Sequence, residues 1–384
     1  MSKAKRMSQI VSSIDDLAKF AKANPVEWEG ELARLLKGPG GFRQKLKTPL
    51  ERLRNLRDRV TDQFIDRDDA ITAVIASLIS GVPVVLLGPP GTAKSAIVRA
   101  IARLCGLRPG GSVMDADDDQ VGAYFEYLLT RHTMPEEIFG PPDLEKLRDG
   151  VFQRNTLAML PEAHIAFLDE VFRGGSHILN TLLAVINEKL FHDGQRVLSV
   201  PLIGVIGAAN VPPTDPDLDA FFDRFPIRVW LHSVLAASDS GPSHDGDVSR
   251  EMIDLGGKEE IRRLVSTWSR NSSPDLDKLV ACTNDFRAAR AELALRLTEQ
   301  DLEEARERFD RVFTRLRGRC RLSDRSYFAL WKFGLALDVL QPEGVEKNGH
   351  IRVFRWVASL DAERRHVEDV LGQLEGVGGH GGEA

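Results

Sequence analysis

A turn that contains two glycines and ends in lysine and serine is the clearest chemical motif of the sequence. Such turns wrap backbone N–H groups around nucleotide phosphates, and the positive end of the following helix adds to the attraction. Lys94 is expected to reach the β- and γ-phosphates, and the Ser95 hydroxyl is expected to coordinate Mg²⁺. Ala93 stands where the motif usually has glycine, and because a methyl group is small we predict a variant loop and not a broken one. The residues predicted to contact nucleotide are Gly88, Pro89, Pro90, Gly91, Thr92, Ala93, Lys94, Ser95 and Ala96.

Further polar residues follow two apolar segments downstream. Asp169 and Glu170 come after residues 164–168, and Asn210 comes after residues 202–209. An aspartate at such a strand end can hold the Mg²⁺ shell, and a glutamate beside it can polarise an attacking water. The amide of Asn210 can orient the same water by hydrogen bonds. The alternatives are an ordinary acidic strand end and a turn residue before proline.

Two arginines are candidates for stabilising charge during phosphoryl transfer. Arg224 follows an apolar and acidic segment, and Arg325 lies at the start of a C-terminal helix that could cover the nucleotide. Phosphoryl transfer benefits from a guanidinium group, often supplied by a neighbouring subunit. The alternative for each arginine is an ion pair with its own neighbour, Asp223 or Asp324.

The elements that must position these residues alternate between strands and helices. Residues 82–87 are short, apolar and β-branched, which predicts a buried strand, and residues 96–104 have apolar residues at helical spacing. This alternation predicts an α/β fold, a parallel sheet with helices on both faces. In such sheets ligands bind beyond the carboxyl ends of the strands, which is where the predicted site residues lie. Further along, Ser323 is expected to cap a helix that runs through Leu337.

A chain of 384 residues is expected to contain more than one domain. Breaks in composition and periodicity predict five segments. They are a helical extension at 1–48, an α/β nucleotide-binding domain at 49–235, a flexible loop at 236–250, an α-helical lid domain at 251–372 and a disordered tail at 373–384.

Composition excludes several function classes. The net charge of −6 gives no general attraction to nucleic acid, although the first sixty residues carry 14 Lys/Arg against 7 Asp/Glu. That local excess is typical of a solvated helical face, and a nucleic-acid arm is the alternative. Three widely spaced cysteines indicate reduced thiols and a cytoplasmic location, and no zinc-ligand spacing is present. The longest apolar stretch, near residues 73–87, is interrupted by glycine and proline and is too short for a membrane span.

Several ordered motifs together resemble the MoxR-type AAA+ ATPases, closest to the RavA branch. The similarity covers about residues 55–235, with a thinner match through the C-terminal helices. The matching stretches are 86–95, 125–131, 134–141, 160–163, 167–172, 178–183, 186–188, 223–225 and 323–325.

The resemblance implies a role for each predicted site residue. Lys94 and Ser95 correspond to Walker A, Asp169 and Glu170 to Walker B, Asn210 to sensor 1, Arg224 to the arginine finger that acts on the neighbouring subunit, and Arg325 to sensor 2. Residues 132–160 resemble the insert within helix 2. Residues 191–197 resemble the pre-sensor hairpin, and their Asp-Gly pair independently suits a tight turn.

The resemblance also implies a function. It predicts ATP and Mg²⁺ as cofactors, hydrolysis at the subunit interfaces of a hexameric ring, and remodelling or chaperone-like assembly of a protein partner, commonly one with a von Willebrand factor A domain. A nucleic-acid-directed motor or defence ATPase is disfavoured by the acidic charge, and a non-hydrolysing scaffold by the intact Asp169-Glu170 pair. The N-terminal extension is outside the family's common core. Because the chain ends soon after the lid, RavA's additional C-terminal domains and their particular partners are not expected.

Overall fold

The computed structural model describes residues 41–109, 123–194, 196–232, 282–296, 302–342, 345 and 347–377. The predicted flexible loop, nearly all of the N-terminal extension and the first part of the predicted lid lie outside the described residues.

A parallel sheet of six strands forms the centre of the nucleotide-binding region. Its strands lie in the order β2-β3-β4-β7-β1-β8, and every neighbouring pair is parallel. The strands are β1 (Val84–Leu87), β2 (Arg108–Pro109), β3 (Ala123–Leu128), β4 (Ile165–Asp169), β7 (Gly204–Ala209) and β8 (Ile227–Trp230).

The strands found in the sequence are the ones buried on both faces. All residues of β1 and β7 are buried, as are the first four of β4, which is why each appears as an uninterrupted apolar run. Strands β3 and β8 were not identified from the sequence. In β3 the apolar run is interrupted by Glu126, and in β8 by Arg228.

Helices cover both faces of the sheet, as predicted, and each face has its own apolar cluster. The helices of this region are α1 (Gly41–Thr61), α2 (Asp68–Ser80), α3 (Lys94–Leu104), α4 (Pro135–Phe139), α5 (Leu144–Arg148), α6 (Ser176–Glu188) and α7 (Asp219–Phe222). Residues of α1, α2 and α3 belong to one cluster and residues of α6 to the other. Helix α1 is continuous across the domain boundary expected between residues 48 and 49.

A separate hairpin precedes the central strand β7. Strands β5 (Leu190–Asp193) and β6 (Arg196–Ser199) pair antiparallel, and Gly194 in the turn has φ of 60°. The tight turn expected at Asp-Gly is therefore present. The region expected to hold the insert contains the short helices α4 and α5.

The C-terminal part is helical in every described segment. Its helices are α8 (Cys282–Arg296), α9 (Glu303–Arg317), α10 (Asp324–Leu340), α11 (Gly349–Arg352) and α12 (Asp361–Val377). The Ser323 side chain accepts a hydrogen bond from the N–H group of Ser326, which confirms the predicted cap of α10. Helix α12 continues five residues beyond the predicted start of the disordered tail, because Val370 and Leu371 anchor it in the core.

Arginines join the helical part to the nucleotide-binding region by donating to backbone carbonyls. Arg54 of α1 donates to the carbonyls of Val339, Leu340 and Gln341, at the C-terminal end of α10. Arg290 of α8 donates in the same way to Leu78 and Ile79 at the end of α2 and to Ile203 before β7. A helix C-terminus favours a cation because its last carbonyls lack partners. No helix in the described part of the chain is long and apolar enough to cross a membrane.

Candidate active site

The phosphate loop starts where β1 ends, and its backbone adopts conformations that favour glycine. Gly88 has φ of 142°, and a Cβ atom there would lie 2.2 Å from the carbonyl oxygen of Leu231. Gly91 has φ of 82° and Ala93 has φ of 70°. A non-glycine residue in the left-handed region costs about 1–2 kcal/mol. Ala93 therefore adopts a glycine-like conformation at the position where the motif usually has glycine.

Lys94 lies under this loop with 8% of its surface exposed. Its Nζ donates to the carbonyl oxygens of Gly88 at 2.6 Å and Pro89 at 3.0 Å, and to Oδ1 of Asn210 at 3.3 Å. Burial lowers the pKa of Lys94, and the charges of Asp169 and Glu170 oppose that shift. The structure thus places the predicted phosphate-binding lysine against the three polar residues that end β4 and β7.

Glu170 and Asn210 contact each other directly. The Asn210 amide nitrogen donates to Oε1 of Glu170 at 2.7 Å. On the other side, Nε of Arg173 lies 3.3 Å from Oε2 of Glu170. Glu170 itself has φ of 49°, a left-handed conformation that is often found where a side chain must be aimed. Lys94, Asn210, Glu170 and Arg173 therefore form one continuous polar chain at the carboxyl edge of the sheet.

The residues present fit a nucleoside triphosphate with Mg²⁺. Helix α3 begins at Lys94, and no side chain caps its N-terminus, so its first N–H groups are available to phosphate oxygens. The Ser95 hydroxyl and the Asp169 carboxylate are oxygen ligands of the type that Mg²⁺ prefers. Within the described residues no group of three or more His, Cys, Asp or Glu side chains could hold a metal ion. In nucleotide sites Mg²⁺ is usually bound by one or two carboxylates together with substrate phosphates.

Arg224 is held partly by its own helical turn. Its Nη1 donates to the carbonyl oxygen of Ala220 at 2.8 Å, and its buried Nε makes no hydrogen bond. Burial lowers the pKa of Arg224, and the nearby positive charge of Arg325 lowers it further, with Asp223 acting in the opposite direction. An incompletely satisfied guanidinium near a second cation favours an anionic partner from outside this segment.

Arg325 pairs with Asp223, not with its own neighbour. Its Nη1 lies 3.9 Å from Oδ2 of Asp223, whereas Asp324 pairs with Arg317. The Ser326 hydroxyl also donates to Asp223, at 3.3 Å. The structure thus brings the two predicted arginines together around Asp223. No contact among the described residues joins Arg325 to the phosphate loop.

Three arginines near the site were missed by the sequence analysis. Arg67 is buried and donates to the carbonyl oxygens of Thr92, in the phosphate loop, and of His232, after β8. Arg173 pairs with Glu170, and Arg228 donates to the carbonyl oxygen of Phe225, the residue after Arg224. The signal for Arg228 was a single charged residue within an otherwise apolar run, and Arg173 stands three residues after Glu170. Nothing in the local sequence distinguished Arg67.

A family model supports the resemblance noted in the sequence. Residues 51–239 match the model described as the MoxR domain in the MoxR-vWA-beta-propeller ternary systems. The match covers just under half of the chain and supports a MoxR-type AAA+ family for the nucleotide-binding region. It includes all predicted site residues except Arg325 and does not distinguish a RavA branch.

Curated relatives are similar over the same region. Uncharacterised protein MJ0812 of Methanocaldococcus jannaschii is 42% identical over 183 residues, covering 47% of this chain and 45% of that protein. Uncharacterised protein MJ0079 of the same organism is 41% identical over 186 residues, covering 48% of this chain and 45% of that protein. Structural protein ORF618 of Acidianus two-tailed virus is 28% identical over 255 residues, covering 62% of this chain and 40% of that protein. The alignments span less than half the length of each relative.

A solved structure has a similar fold over most of the chain. The crystal structure of a "putative ATPase" from Cytophaga hutchinsonii has a TM-score of 0.57 and 17% identity, covering 87% of this chain and 98% of that chain. At this identity the likeness concerns the fold. It confirms the predicted fold class, an α/β core with a parallel sheet followed by a helical region.

Proposed function

We propose that this protein is a Mg²⁺-dependent ATPase of the MoxR type that hydrolyses ATP at the interfaces of a homo-oligomeric ring, expected to be hexameric. One observation carries the proposal. Lys94, Asn210 and Glu170 form a hydrogen-bonded chain at the carboxyl edge of a parallel sheet, beneath an uncapped helix N-terminus. The match of residues 51–239 to a MoxR family model supports the same reaction class.

The proposed roles follow from the positions of the groups. The N–H groups at the start of α3 and the Lys94 ammonium bind the phosphates, which compete for the hydrogen bonds that Lys94 gives to loop carbonyls. Ser95 and Asp169 hold Mg²⁺, which offsets the negative charge of the phosphates. Glu170 accepts a hydrogen bond from the attacking water, and Asn210 orients it. An open cavity of about 620 Å³ lies beside Glu170 and Asn210 and gives water access to both.

Arg224 and Arg325 are proposed to act on one nucleotide, that of the neighbouring subunit. Their shared partner Asp223 keeps the two cations close despite their repulsion. The Lys94 ammonium bonds to two loop carbonyls and to Asn210, and no hydrogen bond or ion pair among the described residues joins it to either arginine. This separation of lysine and arginines within one chain favours a catalytic site completed by a second copy, with guanidinium groups placed on the developing charge.

The experiment that tests a shared site measures the ATPase rate against protein concentration for wild type, Lys94→Ala and Arg224→Ala, and for mixtures of the two variants. Each variant alone is expected to lose at least about 100-fold in rate. A mixture should recover activity, because a mixed ring contains interfaces that pair an intact Lys94 with an intact Arg224. Each variant at the same total concentration is the control. No recovery, together with a rate per subunit that does not depend on concentration, would contradict the ring.

The proposed client is a protein with a von Willebrand factor A domain. The support is the description of the matching family model, which names such domains. The test adds a purified domain of this class, or duplex DNA, to the ATPase assay. Stimulation by the domain supports a protein client. Stimulation by DNA that disappears as salt is raised from 50 to about 200 mM would indicate a nucleic-acid motor instead.

A further inference from the structure

The side chain of Arg228, on the edge strand β8, is the largest fully buried side chain of the described residues. Its guanidinium stacks over the Phe222 ring, with Cζ 4.1 Å from the ring centroid. Burial lowers the pKa of Arg228 to about 10, and the nearby negative charges of Glu363 and Asp223 oppose that shift. The group therefore remains a cation at neutral pH. A buried cation is tolerated only when its donors are satisfied, which makes its partners informative.

Those partners are backbone carbonyls from three separate segments. Nε donates to Phe225 at 3.2 Å, and Nη1 donates to Cys320 at 3.4 Å and to Val357 at 3.0 Å. Phe225 directly follows Arg224 in the chain. Cys320 lies in the turn that leads from α9 into α10, the helix that begins beside Arg325. One guanidinium thus bonds to the backbone next to Arg224 and to the carbonyl of Cys320, five residues before Arg325.

The same residue is tied to the strand that carries the phosphate loop. Arg228 stands opposite Val85 in the pairing of β8 with β1. Just beyond, the N–H group of Leu231 donates to the carbonyl oxygen of Leu87, the last residue before the loop. Strand β8 therefore connects the segments that carry Arg224 and Arg325 to the nucleotide-binding edge of the same subunit.

Such support matters most for Arg325, because its own side chain is weakly held. Arg325 is 53% exposed, and its pair with Asp223 is long. An exposed ion pair of this kind contributes little to holding a side chain. A displacement of about 1 Å at a reacting centre can lower the rate by about 100-fold. Placement of both guanidinium groups then depends on the rigidity of the backbone segments that Arg228 joins.

We propose that Arg228 is a positioning residue that sets Arg224 and Arg325 for the nucleotide of the neighbouring subunit. This inference rests on the shared-site ATPase proposed above. It predicts that loss of Arg228 impairs the action of Arg224 and Arg325 on the neighbouring subunit. The phosphate loop of the variant subunit should still bind ATP, and it should hydrolyse ATP when a neighbour supplies intact arginines.

The test compares Arg228→Met with Arg290→Met in ATP binding, turnover and mixing. Arg290 is a matched control because it also joins the helical part to the nucleotide-binding region by donating to carbonyls, but at α2 and β7. Arg228→Met is expected to bind a fluorescent ATP analogue within about twofold of wild type and to turn over at least tenfold more slowly per folded protein. Arg290→Met is expected to keep near-wild-type turnover per folded protein. Circular dichroism and thermal melting give the folded fraction.

Mixing assigns the defect to one side of the interface. Arg228→Met should recover activity with Lys94→Ala, which supplies intact arginines, and should not recover with Arg224→Ala. The opposite pattern, or turnover equal to wild type, would overturn the inference. If Lys94→Ala and Arg224→Ala do not complement each other, the shared site itself fails, which is a separate outcome.

A conservative variant covers the case in which Arg228→Met does not fold. Arg228→Lys keeps the charge but lacks the planar fork that joins several carbonyls. It is expected to show an intermediate loss of turnover with the same mixing pattern. Wild-type turnover in a well-folded Arg228→Lys protein would show that the fork has no positioning role.

Discussion

Two regions of the molecule each hold a buried cation. Lys94 lies at the nucleotide-binding edge of the sheet, and Arg228 lies where β8 meets the helical part. The partners of these two cations come from different parts of the chain. Lys94 takes its carbonyl partners from its own loop, six and five residues away. Arg228 takes two of its partners from segments 92 and 129 residues away. The edge also contains the left-handed residues Ala93 and Glu170. Lys94 is thus held mainly by its own loop, within a strained backbone, with one further bond to Asn210 116 residues away. Arg228, by contrast, joins segments that are far apart in the chain.

This difference has a physical consequence for binding and for stability. Lys94 can exchange its hydrogen bonds to the loop carbonyls for hydrogen bonds to a ligand, because this exchange separates no packed elements. Donors that join distant segments cannot be released without separating those segments, so Arg228 is suited to hold a fixed geometry. Removing a polar group at the edge is therefore expected to alter turnover more than stability, whereas removing a buried polar group in the helical part is expected to alter stability more than turnover.

The largest expected effect is on turnover at the edge. Glu170→Gln removes the carboxylate proposed to accept a proton from water, and the rate is expected to fall by about 100-fold or more. The amide still matches the carboxylate in size, and Glu170 is part-exposed, so the free energy of unfolding should change by less than about 0.5 kcal/mol. Steady-state ATPase assays and urea denaturation measure the two quantities. Glu188→Gln, at the exposed end of α6, is the control.

An unchanged rate in Glu170→Gln would remove Glu170 from the mechanism. A large fall in the free energy of unfolding of Glu170→Gln would mean that polar groups at the edge also stabilise the fold, which would contradict the distinction drawn between the two regions.

A smaller effect is expected where the edge meets β8. Gly88→Ala would place a Cβ atom 2.2 Å from a backbone oxygen of Leu231 at a φ that alanine rarely adopts. We expect a loss of about 3 kcal/mol in the free energy of unfolding, from the clash and the strain together. Gly91→Ala is the matched control, since a Cβ atom there meets nothing within 4 Å. Its expected loss is about 1 kcal/mol, from its left-handed φ alone.

Urea denaturation of both glycine variants gives the comparison. Equal losses in the free energy of unfolding would show that the phosphate loop and the segment after β8 can move apart at little cost. In that case the two regions would be less tightly joined than the structure indicates.

The smallest expected effect is a pH dependence in the helical part. Burial lowers the pKa of His350 to about 4, and the charge of Arg308 adds to the shift. Because the unfolded chain binds this proton near pH 6.5, stability from His350 is present above pH 6.5 and is lost as pH falls toward 4. Between pH 7 and pH 5 the loss should be about 2 kcal/mol.

The measurement is urea denaturation at pH 7 and pH 5 for wild type and His350→Leu. The variant should lack about 2 kcal/mol of the wild-type pH dependence. His132→Leu removes an exposed histidine as a control. The same pH dependence in wild type and His350→Leu would assign the acid sensitivity to groups other than His350. The buried carboxyl of Asp338 is not one of them, because burial raises its pKa and its contribution to stability is lost as pH rises, not as it falls.

Part of the architecture was predictable because local patterns specify it. Strands β1, β4 and β7 are buried on both faces, so their sequences are continuously apolar. The cap at Ser323 depends on a residue three positions away. Strand β8 escaped prediction because Arg228 interrupts its apolar run, and that residue is buried only because carbonyls from the helical part meet it.

The candidate site divides in the same way. The sequence by itself determined the phosphate loop and the acidic pair after β4, because the residues of each motif are neighbours in the chain. Only the tertiary structure decided that Asn210 contacts Glu170, that Arg325 pairs with Asp223, and that Arg228 joins both arginine segments. The residues in these three contacts lie 40, 102 and 92 positions apart in the chain. Local propensity and spacing carry no information on such distances, because packing of whole elements sets them.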